Sequence, residues 1–278
     1  MPKGYAPMKI SFQVATPEVD TPLLPSAQGA LGGNLRVLSD LGYEGVDLSL
    51  RKPRDLDLDA IRKEVEKNSL EVSSIHTAAI GFQDSVWLCH PDEAIRKEGM
   101  DRLKGSLDVA AFFGVGATVG TFRGRLSEGE EHERSLGWMR DAIREGSDYA
   151  AEKGARILFE PQHRHRYGNN FIYNAQEGVA FVEEINSPGL GLMLDTFHMN
   201  IEDVSFSRSI VDAKDHLGHM HISDSNRLYP GAGHVPFREI IDTLRAIDYE
   251  EFLAIQVRMP PDFQTSAALG IANLRSLL

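Results

Sequence analysis

The sequence predicts an α/β chain folded as a (β/α)₈ TIM barrel, in a single domain over residues 1–278. Eight short β-like runs alternate with longer helical patterns, no linker or change of composition divides the chain, and 278 residues suit an eightfold barrel. A doubly wound sheet is the alternative, but it usually carries a glycine-rich phosphate turn after its first strand. The segment VATPEVDTP follows here instead, which favours the barrel.

Each predicted strand is a short apolar run, and several are preceded by a turn signal such as LGYEG at 41–45. The eight predicted strands are Lys9–Val14, Gly45–Leu50, Val72–His76, Ala117–Gly120, Arg156–Glu160, Gly191–Asp195, Gly218–Ile222 and Phe252–Gln256. Amphipathic periodicity predicts helices between them. These segments are 58–69, 93–113, 133–153, 176–185 and 236–247.

Composition restricts the classes of partner. The formal net charge of −12 argues against nucleic acid, and an anionic substrate would need a local basic pocket. Cys89 is the single cysteine, so no internal disulfide forms, which suits a reducing compartment. No stretch approaches the length of a membrane span, and the first residues contain no long apolar region. We therefore expect a cytoplasmic protein without a membrane partner.

Polar side chains stand at or near the ends of predicted strands five to eight, where barrels of this class build their active sites. These residues are Glu160, Asp195, His221 and Gln256. Each interrupts an otherwise apolar run, and a buried charge is costly unless it is paired or ligates an ion. Any one of them could simply cap its strand, but four at adjacent strand ends predict a metal site. The oxygen-rich set suits Mn²⁺, Mg²⁺, Co²⁺ or Zn²⁺.

Further polar residues are expected near the same rim. His76 ends the third predicted strand, His198 follows Asp195 by three residues, and Arg227 stands in the loop after strand seven. Each could contact substrate, although a loop histidine bonded to backbone or a solvated arginine is the alternative. His219 shares a strand face with His221 and is expected to pack deeper.

Two longer segments, LMLDTFHMNIEDV (192–204) and HMHISDSNRLYPGAGHVPF (219–237), resemble the sugar isomerase/epimerase family with a xylose-isomerase-like barrel. The similarity is to the ketose 3-epimerase and hydroxypyruvate isomerase branch. It implies that Glu160, Asp195 and His221 are metal ligands and that His198 and Arg227 contact sugar oxygens. It also implies enolisation of a keto sugar beside a divalent ion, for which we expect Mn²⁺, with Mg²⁺ or Co²⁺ as alternatives.

The chain departs from that branch at two positions. Gln256 stands where the epimerases have a glutamate that is both ligand and base, and an amide cannot carry a proton at neutral pH. His163 replaces an asparagine in the stretch RILFEPQHRHRYGNNF (156–171), three residues after Glu160. This pattern resembles the catalytic subunit of bacterial C-glycoside deglycosidases, which act on 3-keto-glycosides. Arg164, next to His163, is expected to contact substrate.

Three functions follow from these patterns. The first is a metal-dependent lyase that cleaves a 3-keto-glycoside through an enolate, with His163 as base. The second is a ketose 3-epimerase or aldose–ketose isomerase with Glu160 as base. The third is a sugar-binding or regulatory barrel without this chemistry. The resemblance also implies a small second subunit or a homo-oligomer.

Overall fold

Eight parallel strands close into a barrel in the computed structural model, which describes residues 8–165 and 170–278. Each strand pairs with the next along the chain, and the first pairs with the last, with Phe12 opposite Ile255. The strands are β1 (Ile10–Ala15), β2 (Gly45–Ser49), β3 (Glu71–His76), β4 (Gly116–Val119), β5 (Arg156–Phe159), β6 (Leu190–Asp195), β7 (Leu217–Ile222) and β8 (Leu253–Ile255). The predicted barrel is confirmed, and each of the eight strands overlaps its predicted segment.

Helices surround the barrel. They are α1 (Leu31–Leu41), α2 (Leu58–Lys67), α3 (Ala78–Asp84), α4 (Glu93–Phe113), α5 (His132–Lys153), α6 (Ala175–Ile185), α7 (Thr196–Glu202), α8 (Phe206–Ala213), α9 (Phe237–Ala246) and α10 (Phe263–Arg275). The five predicted helices correspond to α2, α4, α5, α6 and α9. Within the described ranges, no helix combines the length and apolar character that crossing a membrane requires.

The strands alternate between two environments. In β1, Phe12 and Val14 belong to the apolar core between sheet and helices, whereas Gln13 is buried and hydrogen-bonded to the Ser49 hydroxyl of β2. Period-two alternation therefore directs one set of side chains to the helices and the other into the barrel. The side chains that point into the barrel include polar ones such as Gln13, Asp47 and Ser49, which can form hydrogen bonds with one another across the interior.

The ends of β5 and β8 differ slightly from prediction. Glu160 and Gln256 each follow the last strand residue instead of forming it. Their backbone N–H groups still donate to the neighbouring strand, Glu160 to the Val119 carbonyl at 3.1 Å and Gln256 to the Ile222 carbonyl at 3.2 Å. The strand geometry thus extends far enough to direct both side chains over the carboxyl-terminal mouth of the barrel.

Candidate active site

Four consecutive strands bring the predicted ligand residues to one end of the barrel. Glu160, Asp195, His221 and Gln256 are at most 3% exposed, although all four are polar. Polar groups buried to this degree need partners that compensate for the lost water.

A compact group forms from Glu160, Asp195 and His198. One ligand-capable atom from each residue lies within 4.8 Å of the other two. Nε2 of His198 lies 3.5 Å from Oε1 of Glu160 and 3.8 Å from Oδ2 of Asp195. His198, expected only as a substrate contact, therefore lies where its imidazole could instead ligate a metal ion.

Arg227 joins two of the proposed ligands. Its guanidinium donates to Oδ2 of Asp195 at 2.5 Å and also to Oε1 of Gln256. Burial is the largest single influence and by itself raises the pKa of Asp195, but the charges of Arg227, His198 and His221 together lower that pKa, so the carboxylate is ionised. Oxygens of Asp195 and Gln256, two of the four proposed ligands, therefore lie against one guanidinium.

The turn that carries Arg227 is held by Asp224. Its carboxylate accepts the backbone N–H groups of Ser225, Gly231 and Val235, at 2.7, 2.8 and 3.0 Å. Arg227 itself adopts a left-handed backbone conformation, with φ of 63°. Because this conformation is unfavourable for an arginine, the surrounding hydrogen bonds must hold it, and they direct the side chain into the barrel mouth.

Asp47 of β2 is a site residue that the sequence reasoning missed. Its Oδ2 lies 2.7 Å from Nε2 of His221, across the barrel interior, and Oδ1 accepts the Ser74 hydroxyl at 2.7 Å. Burial is the largest single influence and by itself lowers the pKa of His221, but the hydrogen bond and charge of Asp47, together with the charges of Asp195 and Glu160, raise that pKa overall. The sequence feature that could have identified Asp47 is its charge, which interrupts the apolar run GVDLSL (45–50).

His221 is oriented as a metal ligand would be. Because Asp47 engages Nε2, the metal-binding lone pair is that of Nδ1, for which the described residues provide no hydrogen-bond partner. A carboxylate behind a ligating histidine is the usual second layer of such sites. His219, as expected, packs deeper, with Nε2 3.5 Å from Oδ2 of Asp47.

Glu160 is anchored on two sides. Gln162 Nε2 donates to its Oε2 at 2.7 Å, and the buried Arg123 donates to its backbone carbonyl at 2.5 Å. Burial lowers the pKa of Arg123 to about 10, which leaves it charged at neutral pH. Arg123 was also missed, because TFRGR reads as an ordinary loop in the sequence.

His163 is buried above the same group of residues. Its ring centroid lies 4.9 Å from that of His198, and its ring meets Phe197 nearly at right angles. The His165 N–H donates to Nδ1 of His163 at 3.2 Å, so the neutral ring carries its proton on Nε2. In this conformation Nε2 is a hydrogen-bond donor. Nε2 could accept a proton only if the ring proton moved to Nδ1, which would break the bond from the His165 N–H.

Arg164 has a different environment from the expected one. Its side chain is 57% exposed, its guanidinium donates hydrogen bonds to both carboxylate oxygens of Glu202, and it lies over the ring of Tyr173. The described geometry therefore pairs Arg164 with α7 and does not bring its guanidinium to the strand ends. Arg166 lies outside the described residues.

An apolar cavity of about 420 Å³ adjoins the mouth of the barrel. Trp87 and Phe82 form an edge-to-face pair along one wall, and Leu23 forms another part of the lining. Gln162 also lines this cavity while it holds Glu160, so the cavity and the carboxylate are neighbours. Gly81 permits the arrangement, since a Cβ there would lie 1.9 Å from the Trp87 ring.

Comparison with known proteins agrees with this geometry. The family model described as "Xylose isomerase-like TIM barrel" matches residues 35–277. The chain belongs to this family. The resemblance predicted from the segments at 192–204 and 219–237 is therefore confirmed.

Members of the family with similar sequences are sugar epimerases. The chain is 31% identical to an L-ribulose 3-epimerase of Methylomonas sp. over 80% of this chain and 75% of the relative. It is 27% identical to a 3-dehydro-D-guloside 4-epimerase of Escherichia coli, over 81% and 86% of the two chains. The crystal structure of a 3-keto-D-glucoside 4-epimerase from E. coli shares the fold, with a TM-score of 0.80 at 21% identity over 97% of this chain and 100% of that one. These similarities support an enzyme of sugar metabolism.

Proposed function

We propose that this protein is a divalent-metal-dependent enzyme that enolises a keto sugar and, like its relatives, epimerises it. The observation that carries the proposal is the buried group of Glu160, Asp195 and His198, whose ligand-capable atoms lie within 4.8 Å of one another, with the buried His221 on the next strand. Buried carboxylates and an imidazole with an available Nδ1 form a donor set that suits a divalent ion. Gln256 would add an amide oxygen to this set.

A divalent ion held there would polarise a substrate carbonyl and so acidify the adjacent C–H. Glu160 is the carboxylate that would exchange this proton. Its Oε2 is engaged by Gln162, whereas Oε1 faces His198 at 3.5 Å. His198 and Arg227 are the donors that would orient sugar oxygens beside it.

The apolar cavity suggests that the sugar carries an aglycone. A free ketose has little apolar surface to bury, whereas a keto-glycoside could extend its aglycone past Gln162 toward Trp87. The name of the E. coli relative, a 3-dehydro-D-guloside 4-epimerase, also describes a keto-glycoside substrate. We therefore infer a 3-keto-glycoside as the preferred substrate class.

Gln256 favours a second candidate function, the lyase. Two-base epimerisation needs proton carriers on both faces of the carbon, and an amide supplies none. In a lyase, one base removes the C2 proton, the electron pair forms the enolate, the bond from C1 to the aglycone breaks, and the aglycone gains a proton. His163 would be the base in this scheme, and it could accept the proton on Nε2 only after its Nδ1 has lost the bond from the His165 N–H.

Product analysis distinguishes the two functions. Protein loaded with Mn²⁺ would be incubated with a panel of free ketoses and a panel of 3-keto-glycosides, and epimers and free aglycone would be quantified. We expect epimer from the glycoside panel, whereas free aglycone would establish the lyase in its place. The Gln256→Glu variant is the matched comparison. The second carboxylate that it introduces should raise the yield of epimer but should not increase the amount of free aglycone. No product from either panel, with metal bound, would overturn both functions.

A further inference from the structure

The side-chain amide of Gln256 can serve a cation in only one of its two orientations. A carboxylate presents equivalent oxygens, but an amide presents one oxygen and one NH₂ group, and the latter repels a cation. Gln256 is 3% exposed, so water cannot compensate for a wrong orientation. A glutamine ligand at this position therefore requires a partner that fixes the orientation of its amide.

Two neighbours fix the orientation of this amide. Arg227 can only donate, so the Gln256 atom that faces it must be Oε1. The amide nitrogen then faces Nε2 of His76 at 3.2 Å. Since Nε2 of His76 must accept this N–H, the ring proton belongs on Nδ1.

The tautomer of His76 is held from behind. Nδ1 lies 3.1 Å from Oγ of Ser49, its register partner on β2, and that hydroxyl also receives the Gln13 amide at 3.1 Å. All of these groups are buried, and His76 from β3 reaches Gln256 beyond β8 through the barrel interior. The order Gln13, Ser49, His76, Gln256 is thus a continuous hydrogen-bonded chain that ends on a proposed ligand.

We propose that His76 is a positioning residue that holds the Gln256 amide with Oε1 toward the metal site. This inference rests on the proposed function, because it needs an ion at the four strand ends. His76 would therefore act by orienting a proposed ligand, whereas the sequence predicted that it contacts substrate. A carboxylate at position 256 would not need this partner.

The test measures Mn²⁺ affinity in two backgrounds, the natural chain and Gln256→Glu. His76→Leu keeps much of the ring's bulk but removes the acceptor, and His76→Gln keeps an acceptor oxygen. In the natural chain, His76→Leu should weaken Mn²⁺ binding by about 10- to 100-fold, as loss of an outer-layer partner does, and His76→Gln should restore most of it. In the Gln256→Glu background, the same His76→Leu change should alter affinity by less than about threefold, because either carboxylate oxygen can ligate.

If His76→Leu weakened Mn²⁺ binding equally in both backgrounds, the inference would be overturned, because His76 would then support the site without orienting the Gln256 amide. Unchanged affinity on His76→Leu in the natural chain would also overturn it. Absence of Mn²⁺ binding by the natural chain would instead contradict the proposed function, and with it this inference. Thermal unfolding of each variant shows whether it is folded, and His76→Gln provides the comparison if His76→Leu does not fold.

Discussion

The Asp47 carboxylate lies 2.7 Å from Nε2 of His221, and both side chains are fully buried inside the barrel. The two residues come from β2 and β7, which are not neighbours in the sheet, so the barrel interior alone brings them together. The contact fixes the imidazole and assigns its free lone pair to Nδ1. A buried pair of this kind would orient His221, one of the proposed ligands, before any ion binds.

Replacing Asp47 with asparagine should weaken the binding of a divalent ion. The amide keeps the shape of the carboxylate but removes its charge and can present NH₂ to Nε2, so the lone pair of His221 is no longer directed. We expect the Mn²⁺ affinity of Asp47→Asn to fall by about 10- to 100-fold, as measured by titration of metal-stripped protein. Asp59→Asn, an exposed change on α2, is the control and should leave the affinity unaltered. Wild-type affinity in Asp47→Asn would show that the carboxylate does not orient the ligand.

If the protein is the lyase, His163→Ala should reduce turnover while the protein still binds metal. The imidazole lies beside His198 but is not one of the strand-end ligands, so its loss removes a proton carrier and spares the ion. Loss of a general acid or base lowers kcat by about 100- to 10,000-fold. His165→Ala is the matched control, because that side chain is exposed and two residues away. Unchanged kcat in His163→Ala would limit the residue to packing.

Asp84 should stabilise the fold near neutral pH and lose this effect in acid. Its carboxylate forms ion pairs with Arg51 and Arg102, which connects α3 to the loop after β2 and to α4. Burial is the largest single influence and by itself raises the pKa of Asp84, but the hydrogen bond and charge of Arg51, together with the charge of Arg102, lower that pKa overall. Stability contributed by a lowered pKa is complete above the unfolded value and disappears as pH falls through the folded one.

Asp84→Asn should therefore reduce the free energy of unfolding by about 1–2 kcal/mol at pH 7, measured by denaturant titration. The difference from wild type should shrink below about pH 4, where the unfolded carboxyl begins to protonate. Asp242→Asn is the control, because Asp242 is 57% exposed in its pair with Arg245 and should contribute almost nothing. An Asp84 effect that stays constant down to low pH would contradict the ion-pair explanation.

Cys89 should be chemically inert in the folded protein. Its side chain is buried, and burial raises the pKa of the thiol to about 12, so the reactive thiolate is scarce at pH 8. Iodoacetamide should modify the native protein more than about 100-fold more slowly than the protein unfolded in denaturant, as followed by mass spectrometry. Rapid labelling of the native protein would show that the segment around Cys89 opens readily.

The sequence was sufficient for the barrel and for the strand-end residues. Apolar runs ending in Glu160 or Asp195 carry a local signal, because a charge that interrupts a buried strand is unusual. The contacts between distant strands carry no such signal. That Asp47 would meet His221, or His76 the amide of Gln256, depends on closure of the barrel and on which face each side chain takes. The role of Arg123 also could not be predicted, because it binds backbone carbonyls of Glu160 and Phe171, which leave no mark in the sequence.

The most direct test of the central claim is turnover with and without a divalent ion. Metal-stripped protein would be assayed on the ketose and 3-keto-glycoside panels, before and after Mn²⁺ is restored. The account predicts no product from stripped protein and recovery of product on addition of Mn²⁺. Full turnover by protein that retains no metal would contradict it, because Glu160, Asp195, His221 and Gln256 would then have no ion to hold.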